Sequence, residues 1–281
     1  MYDGTSPSDP QAPAAAQRAR GRVRIAAVRK DGRTRLRTLY QDGAAKARLP
    51  RVHGDAALEA VLLNTAGGLT GGDVIETEAQ AGPGADLCLT SQACERIYRA
   101  LPGEPPARVS TSLYMEAGAR LAWLPQETIL FDGGRVRRKL EIDMAADGRL
   151  LACEAVLFGR GASGETVAAG DFRDSWRLRR GGKLVFADET RLDGPIDDIL
   201  KGAAVAAGGH AVATVVLAAP GAGECLERAR EILAGARAGA SVRDGILVCR
   251  LVAADGQALR THLLPLLSFL NGGALPRVWH L

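Results

Sequence analysis

The sequence predicts a mainly β fold built from many short strands, with two helices near the C-terminal end. Glycine contributes 34 of the 281 residues, whereas aromatic residues make up only 4%. Several segments alternate apolar and polar residues with a period of two, and turn-forming pairs such as Asp-Gly and Gly-Gly separate them. Abundant glycine with few aromatic side chains suits strands joined by tight turns better than long helices.

Three segments show the strand pattern clearly. In each, apolar or uncharged residues alternate with charged or polar ones, which is the spacing of a strand with one buried and one hydrated face. The inward positions are Ile75, Thr77 and Ala79 in the first segment, Leu140, Ile142 and Met144 in the second, and Phe172, Trp176 and Leu178 in the third. Such strands, separated by turn signals, indicate a mainly β domain.

Two later segments break the period of two and predict helices. Between residues 223 and 237, apolar residues recur at helical spacing, and Glu224 and Arg228 are placed to form an i,i+4 ion pair. A second helical stripe of leucines runs from Leu259 to Leu270. Pro265 interrupts this stripe, so we expect it to kink or shorten the second helix.

The domain organisation predicted from composition is simple. Residues 1–20 are rich in Pro, Ala and Ser and predict a disordered tail, and no change of composition divides residues 21–281, which predict a single domain. The five cysteines are odd in number and contain no CxxC pair, which favours free thiols in a reducing cytoplasm. The uncharged run 202–223 is too weakly apolar to predict a membrane span.

The positive charge is concentrated near the N-terminus. The chain carries a net charge of +4, and residues 1–51 contain 12 Lys and Arg against four acidic residues. A basic segment of this kind fits a nucleic acid or an acidic protein partner. It also fits the hydrated face of edge strands, where charge prevents aggregation. The sequence leaves both interpretations open.

A glycine-rich segment, Gly67-Gly68-Leu69-Thr70-Gly71-Gly72-Asp73, invites comparison with a phosphate-binding loop. A P-loop requires Lys and then Ser or Thr after its last glycine, whereas Asp73 stands there and would repel phosphate. A dinucleotide-binding loop opens a helix, whereas residues 74–78 alternate as a strand. The segment therefore predicts a wide turn between strands, and not a nucleotide site.

The glycine segment is one of four motifs that resemble those of a single protein family. The glycine segment resembles the GG-x-x-GGD signature of that family, and residues 90–99 resemble its Thr-rich segment that ends in Tyr-Arg. Residues 124–131 resemble its LP-x-E-x-I-x-F element, and residues 154–165 its E-x3-FGR…GE element. Together these four motifs resemble those of the UreD (UreH) family of urease accessory proteins, and Trp176 in an Arg-flanked strand agrees with that family too. The motif residues are Gly67, Gly68, Gly71, Gly72, Asp73, Tyr98, Arg99, Pro125, Glu127, Phe131, Glu154, Gly159, Arg160, Gly164 and Glu165.

The resemblance implies both an architecture and a role. The architecture is a layered, β-helix-like arrangement of strands. The role is that of a maturation chaperone and scaffold without catalytic activity, which partners UreF and, through UreF, the GTPase UreG. The resemblance further implies that this complex docks on urease apoprotein and supports GTP-dependent nickel insertion. We expect no membrane and no nucleic-acid partner.

The sequence predicts no stably bound cofactor and no tight metal site. It has no His-rich tract and no CxxC pair to hold nickel, so nickel is expected at most as transient cargo. Weak carboxylate ligands along a nickel path are then the candidates, namely Asp73, Glu127, Asp132, Glu154 and Glu165. Cys88 and Cys94 would share one face of a straight strand, and we expect both to be small buried side chains.

Two alternatives of other classes remain. A nucleic-acid-binding module would use the basic N-terminal third, although this segment offers only Tyr2 and Tyr40 for base stacking. A glycoside hydrolase would use two of the candidate carboxylates, because β-rich folds can hold paired carboxylates across a substrate. Ser-His-Asp catalysis is disfavoured, since the sequence has no G-x-S-x-G elbow.

Overall fold

Two mixed β-sheets pack face to face, and helices cover the outer face of the second sheet. This computed structural model describes residues 17–50, 57–161 and 164–280. Residues 1–16 of the predicted N-terminal tail lie outside the described residues. The first strand begins at Arg20, the last residue of that predicted tail.

Sheet A has seven strands, and its inner neighbours run parallel. The two outermost strands at each edge form an antiparallel hairpin, Arg20–Lys30 with Arg33–Gly43 at one edge and Gly170–Arg180 with Lys183–Gly194 at the other. In spatial order the strands are β14 (Lys183–Gly194), β13 (Gly170–Arg180), β11 (Arg135–Met144), β8 (Ala107–Met115), β5 (Val74–Ala81), β1 (Arg20–Lys30) and β2 (Arg33–Gly43).

Sheet B is parallel in its middle and antiparallel at both ends. Its main strands are, in spatial order, β16 (Arg237–Arg243), β17 (Ile246–Ala253), β15 (Ala211–Ala218), β12 (Arg149–Phe158), β9 (Arg120–Leu124), β6 (Asp86–Ser91), β4 (Leu58–Asn64) and β3 (Ala45–Arg48). Two short strands, β7 (Glu95–Ile97) and β10 (Thr128–Leu130), pair with each other, and β10 also pairs with β12.

The chain winds between the sheets as a coil. It passes from β4 to β5, from β6 through β7 to β8, from β9 through β10 to β11, and from β12 to β13, crossing from sheet B to sheet A each time. Parallel neighbours require a crossover connection, and here the crossover is a strand of the facing sheet. The predicted mainly β, β-helix-like and layered fold is confirmed.

The alternation predicted for β5, β11 and β13 is confirmed, because the residues of one parity lie in the core between the sheets. By contrast, β12 is buried on both faces, since sheet A packs on one side of it and helices on the other. Leu150 and Ala152 belong to the core between the sheets, whereas Leu151 and Cys153 belong to the core beneath the helices.

Three α-helices are present in the described chain, α1 (Ile196–Lys201), α2 (Leu226–Ile232) and α3 (Gly256–Asn271), with 3-10 segments at Ala222–Cys225 and Arg277–His280. The helix predicted over residues 223–237 is correct only for its middle, because Arg237 already begins β16. The predicted Glu224–Arg228 pair is wrong. Glu224 lies in the 3-10 segment, which has a tighter helical repeat, and Arg228 pairs with Glu231 at 2.8 Å.

The second predicted helix, α3, runs through Pro265 without ending there. Its N-terminus is capped by Asp255, whose side chain accepts a hydrogen bond of 2.8 Å from the Ala258 N–H. Pro265 lies on the exposed face, where the carbonyl left without an amide partner can meet water. The expectation that Pro265 would shorten the helix is therefore wrong.

The uncharged run 202–223 contains β15, which lies between β12 and β17 inside sheet B. On one face of this strand Val216 and Ala218 pack in the core between the sheets, and on the other Ala213 and Val215 pack in the core beneath the helices. Across the described ranges, no helix has the length and apolarity needed to cross a lipid bilayer.

Candidate functional site

The motif segments meet at one end of the two sheets. Each connects a strand of sheet B to the next strand of sheet A, and the connected strands of each sheet are parallel, so these connections stack at the same end. We call this region the motif end; its four segments are residues 65–73, residues 98–106, residues 131–134, and residues 159–161 with 164–169. The order of the motifs along the sequence is therefore their order in space.

Short parallel pairings hold the motif segments in register. The Tyr98 N–H donates to the Leu69 carbonyl at 2.7 Å, and Leu69 and Ile97 form a parallel bridge. The Phe131 N–H donates to the Ile97 carbonyl at 3.0 Å, and the Gly159 N–H donates to the Leu130 carbonyl at 2.8 Å. Main-chain hydrogen bonds thus connect each motif segment to the one that precedes it in the sequence.

The glycines of the first motif segment are required for two different reasons. Gly67, Gly68 and Gly72 have positive φ angles of 78°, 148° and 82°, which glycine adopts without strain. A Cβ atom on Gly68 would also lie 2.3 Å from Cε2 of Tyr98. Gly71 has no positive φ, but a Cβ there would lie 2.7 Å from the carboxylate of Glu104.

The buried side chain of Asp73 holds the turn of the glycine segment. Its side chain is 4% exposed, and its two oxygens accept hydrogen bonds of 2.8 Å each, from the N–H groups of Ala19 and Thr70. The carboxylate therefore fixes the turn and anchors the chain that enters β1. As a candidate on a nickel path, Asp73 has both oxygens already engaged.

Aromatic and basic side chains form the exposed surface of the motif end. Tyr98 packs edge-to-face on Phe131, with ring centroids 5.1 Å apart, and its hydroxyl donates to the Gly67 carbonyl at 3.3 Å. The guanidinium of Arg160 lies 4.8 Å from the centre of the Phe131 ring and pairs with Glu165 at 2.9 Å. The second and fourth motif segments thus clamp Phe131.

Asp132 and the glycines of the fourth segment are also held by local contacts. Asp132 pairs with Arg99 and accepts a hydrogen bond of 3.0 Å from the Ala169 N–H. Gly159 has a φ of 80°, and a Cβ there would lie 2.5 Å from the Glu165 carbonyl oxygen. Gly164 has a φ of 66°. Asp132 and Glu165 therefore act as ties within the motif end.

Glu154 lies deeper, in an ion-pair cluster that joins the two sheets. Its carboxylate accepts hydrogen bonds from Nε1 of Trp123 at 2.9 Å and contacts Arg138 of sheet A at 2.8 Å. Arg138 also pairs with Asp174 at 2.7 Å, and Trp176 donates to the same Asp174 oxygen at 3.2 Å. Among the residues that the structure describes, Nε of Arg138 and Oδ1 of Asp174 are buried without a hydrogen-bond partner.

The charges of this cluster are set by burial and by each other. Burial raises the pKa of Glu154, Arg138 acts to lower it, and the nearby Asp174 raises it further. Burial acts to lower the pKa of Arg138, but Asp174 and Glu154 outweigh it and raise the pKa above its usual value. The guanidinium therefore stays charged and is shared by two carboxyl groups.

Glu127 forms a second ion pair, with Arg260 of α3, in which the carboxylate is buried and the guanidinium is half-buried. Their two hydrogen bonds measure 2.7 and 2.8 Å, and the Cys94 thiol donates to the same carboxylate at 3.5 Å. Burial acts to raise the pKa of Glu127, but the hydrogen bonds and charge of Arg260 leave it below its usual value. Burial, with the charge of Glu127, raises the pKa of Cys94 to about 11, so this thiol is protonated at neutral pH.

A cavity of about 260 Å³ lies between the sheets and connects the ion-pair cluster with the motif end. Glu154 and Arg138 line its inner part, and Gly67 and Arg96 line the part beside the first two motif segments. Further polar lining residues include Lys46, Thr77, Cys94, Glu95, Thr111, Gln126 and Lys139. Burial raises the pKa of Glu95, and hydrogen bonds from Asn64 partly offset this effect.

The structure brings the predicted carboxylates to one half of the molecule without forming a metal centre. Of the five, only Glu154 lines the cavity. No group of three or more His, Cys, Asp and Glu side chains could hold a metal ion within residues 17–50, 57–161 and 164–280. Pro125 lines the cavity between β9 and β10, and Trp176 is buried beside Asp174.

No single straight strand carries both Cys88 and Cys94, and the prediction that both are buried is wrong for Cys94. Strand β6 ends at Ser91, and Cys94 lies in the turn that follows it. Cys88 is buried as predicted, whereas Cys94 is half-buried and bonded to a carboxylate. The tight turn at residues 92–94 separates the two positions.

Sequence analysis missed four charged residues of the interior, Arg138, Asp174, Glu95 and Arg260. A signal existed for Arg138, because it shares the parity of Leu140 and Ile142 and so falls on the buried face of β11. No comparable signal marked Arg260, whose partner lies on a distant segment.

Comparisons of the sequence place this chain among the urease accessory proteins. The profile described as UreD urease accessory protein matches residues 19–280. A relative in Rhizobium leguminosarum bv. viciae named urease accessory protein UreD is 50% identical to this chain, over 94% of this chain and 96% of the relative. A relative of the same name in Xanthobacter autotrophicus is 47% identical, over 98% of this chain and 96% of the relative. The relative in Methylobacterium sp. is 48% identical over 94% and 95%. The chain belongs to the UreD family, which confirms the resemblance seen in its motifs.

Proposed function

We propose that this chain is the scaffold of a urease maturation complex. In this proposal it contacts urease apoprotein and UreF, and it reaches the GTPase UreG through UreF. The observation that carries the proposal is the match to the UreD urease accessory family over residues 19–280. The motif end supports it, because exposed tyrosine and arginine side chains on a rigid main-chain ladder suit protein contact.

The GTP-dependent step would belong to UreG. In this chain, Asp73 follows the glycines at the position where a P-loop carries lysine, and its carboxylate closes the turn that a phosphate would occupy. The next element is strand β5 and not a helix, so no helix N-terminus faces the turn. The scaffold would therefore supply contacts and leave the chemistry to its partner.

Nickel would be cargo in this scheme, held weakly and briefly. The cavity between the sheets offers isolated hydroxyl, amide, thiol and carboxyl groups along its length. An ion that must leave again needs weak sites, because tight binding would stop transfer. Glu154 and Glu127 are each held by an arginine, which reduces their affinity for a second cation.

Family membership favours neither alternative function. Of the basic N-terminal third, Arg24 pairs with Glu78 at 3.1 Å, which places part of its charge in ion pairs on sheet A. A hydrolase would need a carboxyl group free to exchange protons with a substrate. Glu127 and Glu154 instead hold guanidinium groups in buried ion pairs.

The test is reconstitution in a urease-negative host. Urease structural subunits, UreF and UreG are expressed with nickel, with and without this chain, and urease activity and the nickel content of purified urease are measured. We expect both to depend on this chain, and we expect it to co-elute with UreF in gel filtration. Arg228→Ala, an exposed substitution on α2, serves as the folding-neutral control. Full activation without the chain would overturn the proposal.

A further inference from the structure

Four arginines stand side by side on adjacent strands of sheet A. Arg108 of β8 lies opposite Arg137 of β11, Arg137 lies opposite Arg173 of β13, and Arg173 lies opposite Arg191 of β14. We call these four residues the arginine row. Residues in register on neighbouring strands point to the same face of the sheet, about 4.8 Å from one strand to the next.

The arginine row faces away from the core. The adjoining positions Ala107, Val136 and Phe172 are buried between the sheets, so the arginines one step along each strand point outward. The helices do not cover this face, because α2 and α3 pack on sheet B. The side chain of Arg191 is 58% exposed and that of Arg173 is 37% exposed.

The row carries more positive charge than its own neighbours neutralise. Asp171 pairs with Arg137 and lies 3.8 and 3.9 Å from Arg135 and Arg173, and it is the central counter-charge. Asp193 pairs with Arg191 at 3.2 Å. Arg108 has no ion pair within the described part of the chain. Two aspartates are therefore the counter-charges for five arginines, the four of the row and Arg135.

Repulsion between these neighbouring arginines lowers the stability of the folded state unless a counter-charge offsets it. Like charges directly opposite each other on neighbouring strands are destabilising. Within the described part of the chain, Nε of Arg173 in the row is also buried without an acceptor for its hydrogen bond. A partner that brings carboxylates to this face would supply the missing counter-charge.

We propose that the arginine row binds an acidic segment of a protein partner, laid across strands β8, β11, β13 and β14. The planar guanidinium group matches a carboxylate in geometry and charge, and beside the row Asp171 already accepts a hydrogen bond from Arg137. The segment would lie perpendicular to the strands, with one carboxylate above each pair of arginines.

The surroundings of the row favour a protein over a nucleic acid. The row begins directly after the motif segments, so it continues the surface that exposes Tyr98 and Arg160. Tyrosine and arginine together are typical of protein interfaces. The row itself offers no aromatic side chain on which bases could stack. The inference rests on the proposed scaffold role, in that the partner would be a protein of that complex.

The first test uses simple polyanions. A fluorescein-labelled poly-glutamate peptide and a short random-sequence DNA duplex are titrated with the protein, and anisotropy is followed at two salt concentrations. The row variant is Arg108→Glu/Arg191→Glu, and the control is Arg35→Glu/Arg37→Glu, which makes the same charge change at exposed positions of β2. Arg108→Gln/Arg191→Gln replaces the row variant if the glutamates prevent folding.

We expect the row variant to weaken poly-glutamate binding about tenfold more than the control does, because two guanidinium contacts are lost. Equal weakening by both variants would overturn the proposal, since binding would then follow net charge alone. Tighter binding of the duplex through the same arginines would also overturn it, in favour of a nucleic-acid site.

A second measurement separates this inference from the scaffold role. Binding of the wild-type chain and the row variant to purified urease apoprotein is compared, with UreF present. Weaker binding of the row variant supports an acidic face within the complex. If wild type binds but the row variant binds equally well, the row does not serve that complex and the inference falls. If even the wild type fails to bind, the scaffold proposal falls, and the polyanion result alone decides the row.

Discussion

Glu127 and Arg260 lie 133 residues apart in sequence and are joined by two hydrogen bonds, of 2.7 and 2.8 Å. Glu127 is 1% exposed and directly precedes β10, whereas Arg260 is on α3. The guanidinium also lies 5.5 Å from the centre of the Trp279 ring. Together with the hydrogen bond of 3.1 Å from Nε1 of Trp279 to the Leu124 carbonyl, this contact joins the C-terminal helix and the final 3-10 segment to the coil of strands.

Replacing Arg260 should destabilise the fold. Arg260→Ala leaves the Glu127 carboxylate buried without its cation, and breaking a buried pair in this way costs about 3 kcal/mol. Urea unfolding curves measure the loss. Arg228→Ala is the control, because its ion pair with Glu231 is exposed and contributes less than about 1 kcal/mol. Equal losses for the two variants would contradict a structural role for the buried pair.

The Glu127 interaction should also be pH-dependent in a defined direction. The pKa of Glu127 is lowered in the folded state, so its contribution to stability is present above the unfolded-state value near 4.5 and is lost as the pH falls through the folded-state value. The difference in unfolding free energy between wild type and Glu127→Gln should shrink below pH 4.5. A difference that stays constant, or grows, on acidification would refute this assignment.

Replacing Arg138 should lower the free energy of unfolding more than replacing an exposed arginine that also bridges the sheets. Arg138→Met leaves Glu154 and Asp174 facing each other in the interior, and the expected cost is about 3–5 kcal/mol. Arg250→Met removes an ion pair with Asp188 whose arginine is 49% exposed, and it should cost less than about 1 kcal/mol. Thermal or urea unfolding compares the two. A smaller loss for Arg138→Met than for Arg250→Met would show that the buried cluster is not structural.

The glycine segment should respond to alanine in a graded order. Gly68→Ala combines an unfavourable φ with a clash against Tyr98, so it should cost the most, about 2–3 kcal/mol. Gly67→Ala has free space but a left-handed φ and should cost about 1 kcal/mol. Gly273→Ala has neither problem and is the control. Any other order in urea unfolding would mean that the turn rearranges.

Nickel should bind the isolated chain only weakly. The five cysteines and four histidines of the sequence lack the spacing of a metal site, and Cys94 is held as a protonated thiol beside Glu127. Equilibrium dialysis should detect no tight site, and Cys88→Ser/Cys94→Ser should leave urease activation in the reconstituted system largely intact. One tight nickel site that vanishes in the double variant would reverse this view.

The local features of this protein could be predicted from its sequence. Alternation with a period of two placed β5, β11 and β13 correctly, because the side chains of a strand point alternately to opposite faces. The motif segments were recognisable for a related reason, since the turns need glycine at positions of positive φ such as Gly67 and Gly72. The predicted helix boundaries were wrong around α2, where a short 3-10 segment precedes the helix.

Only the tertiary structure decided which residues act together. The cluster of Arg138 with Glu154 joins two sheets, and the pair of Glu127 with Arg260 joins a turn to a helix. The arginine row exists because β8, β11, β13 and β14 are aligned in one register, and a shift of one residue would turn each arginine to the other face. Register and pairing depend on hydrogen bonds between distant segments, and a local pattern of residues contains no information about them.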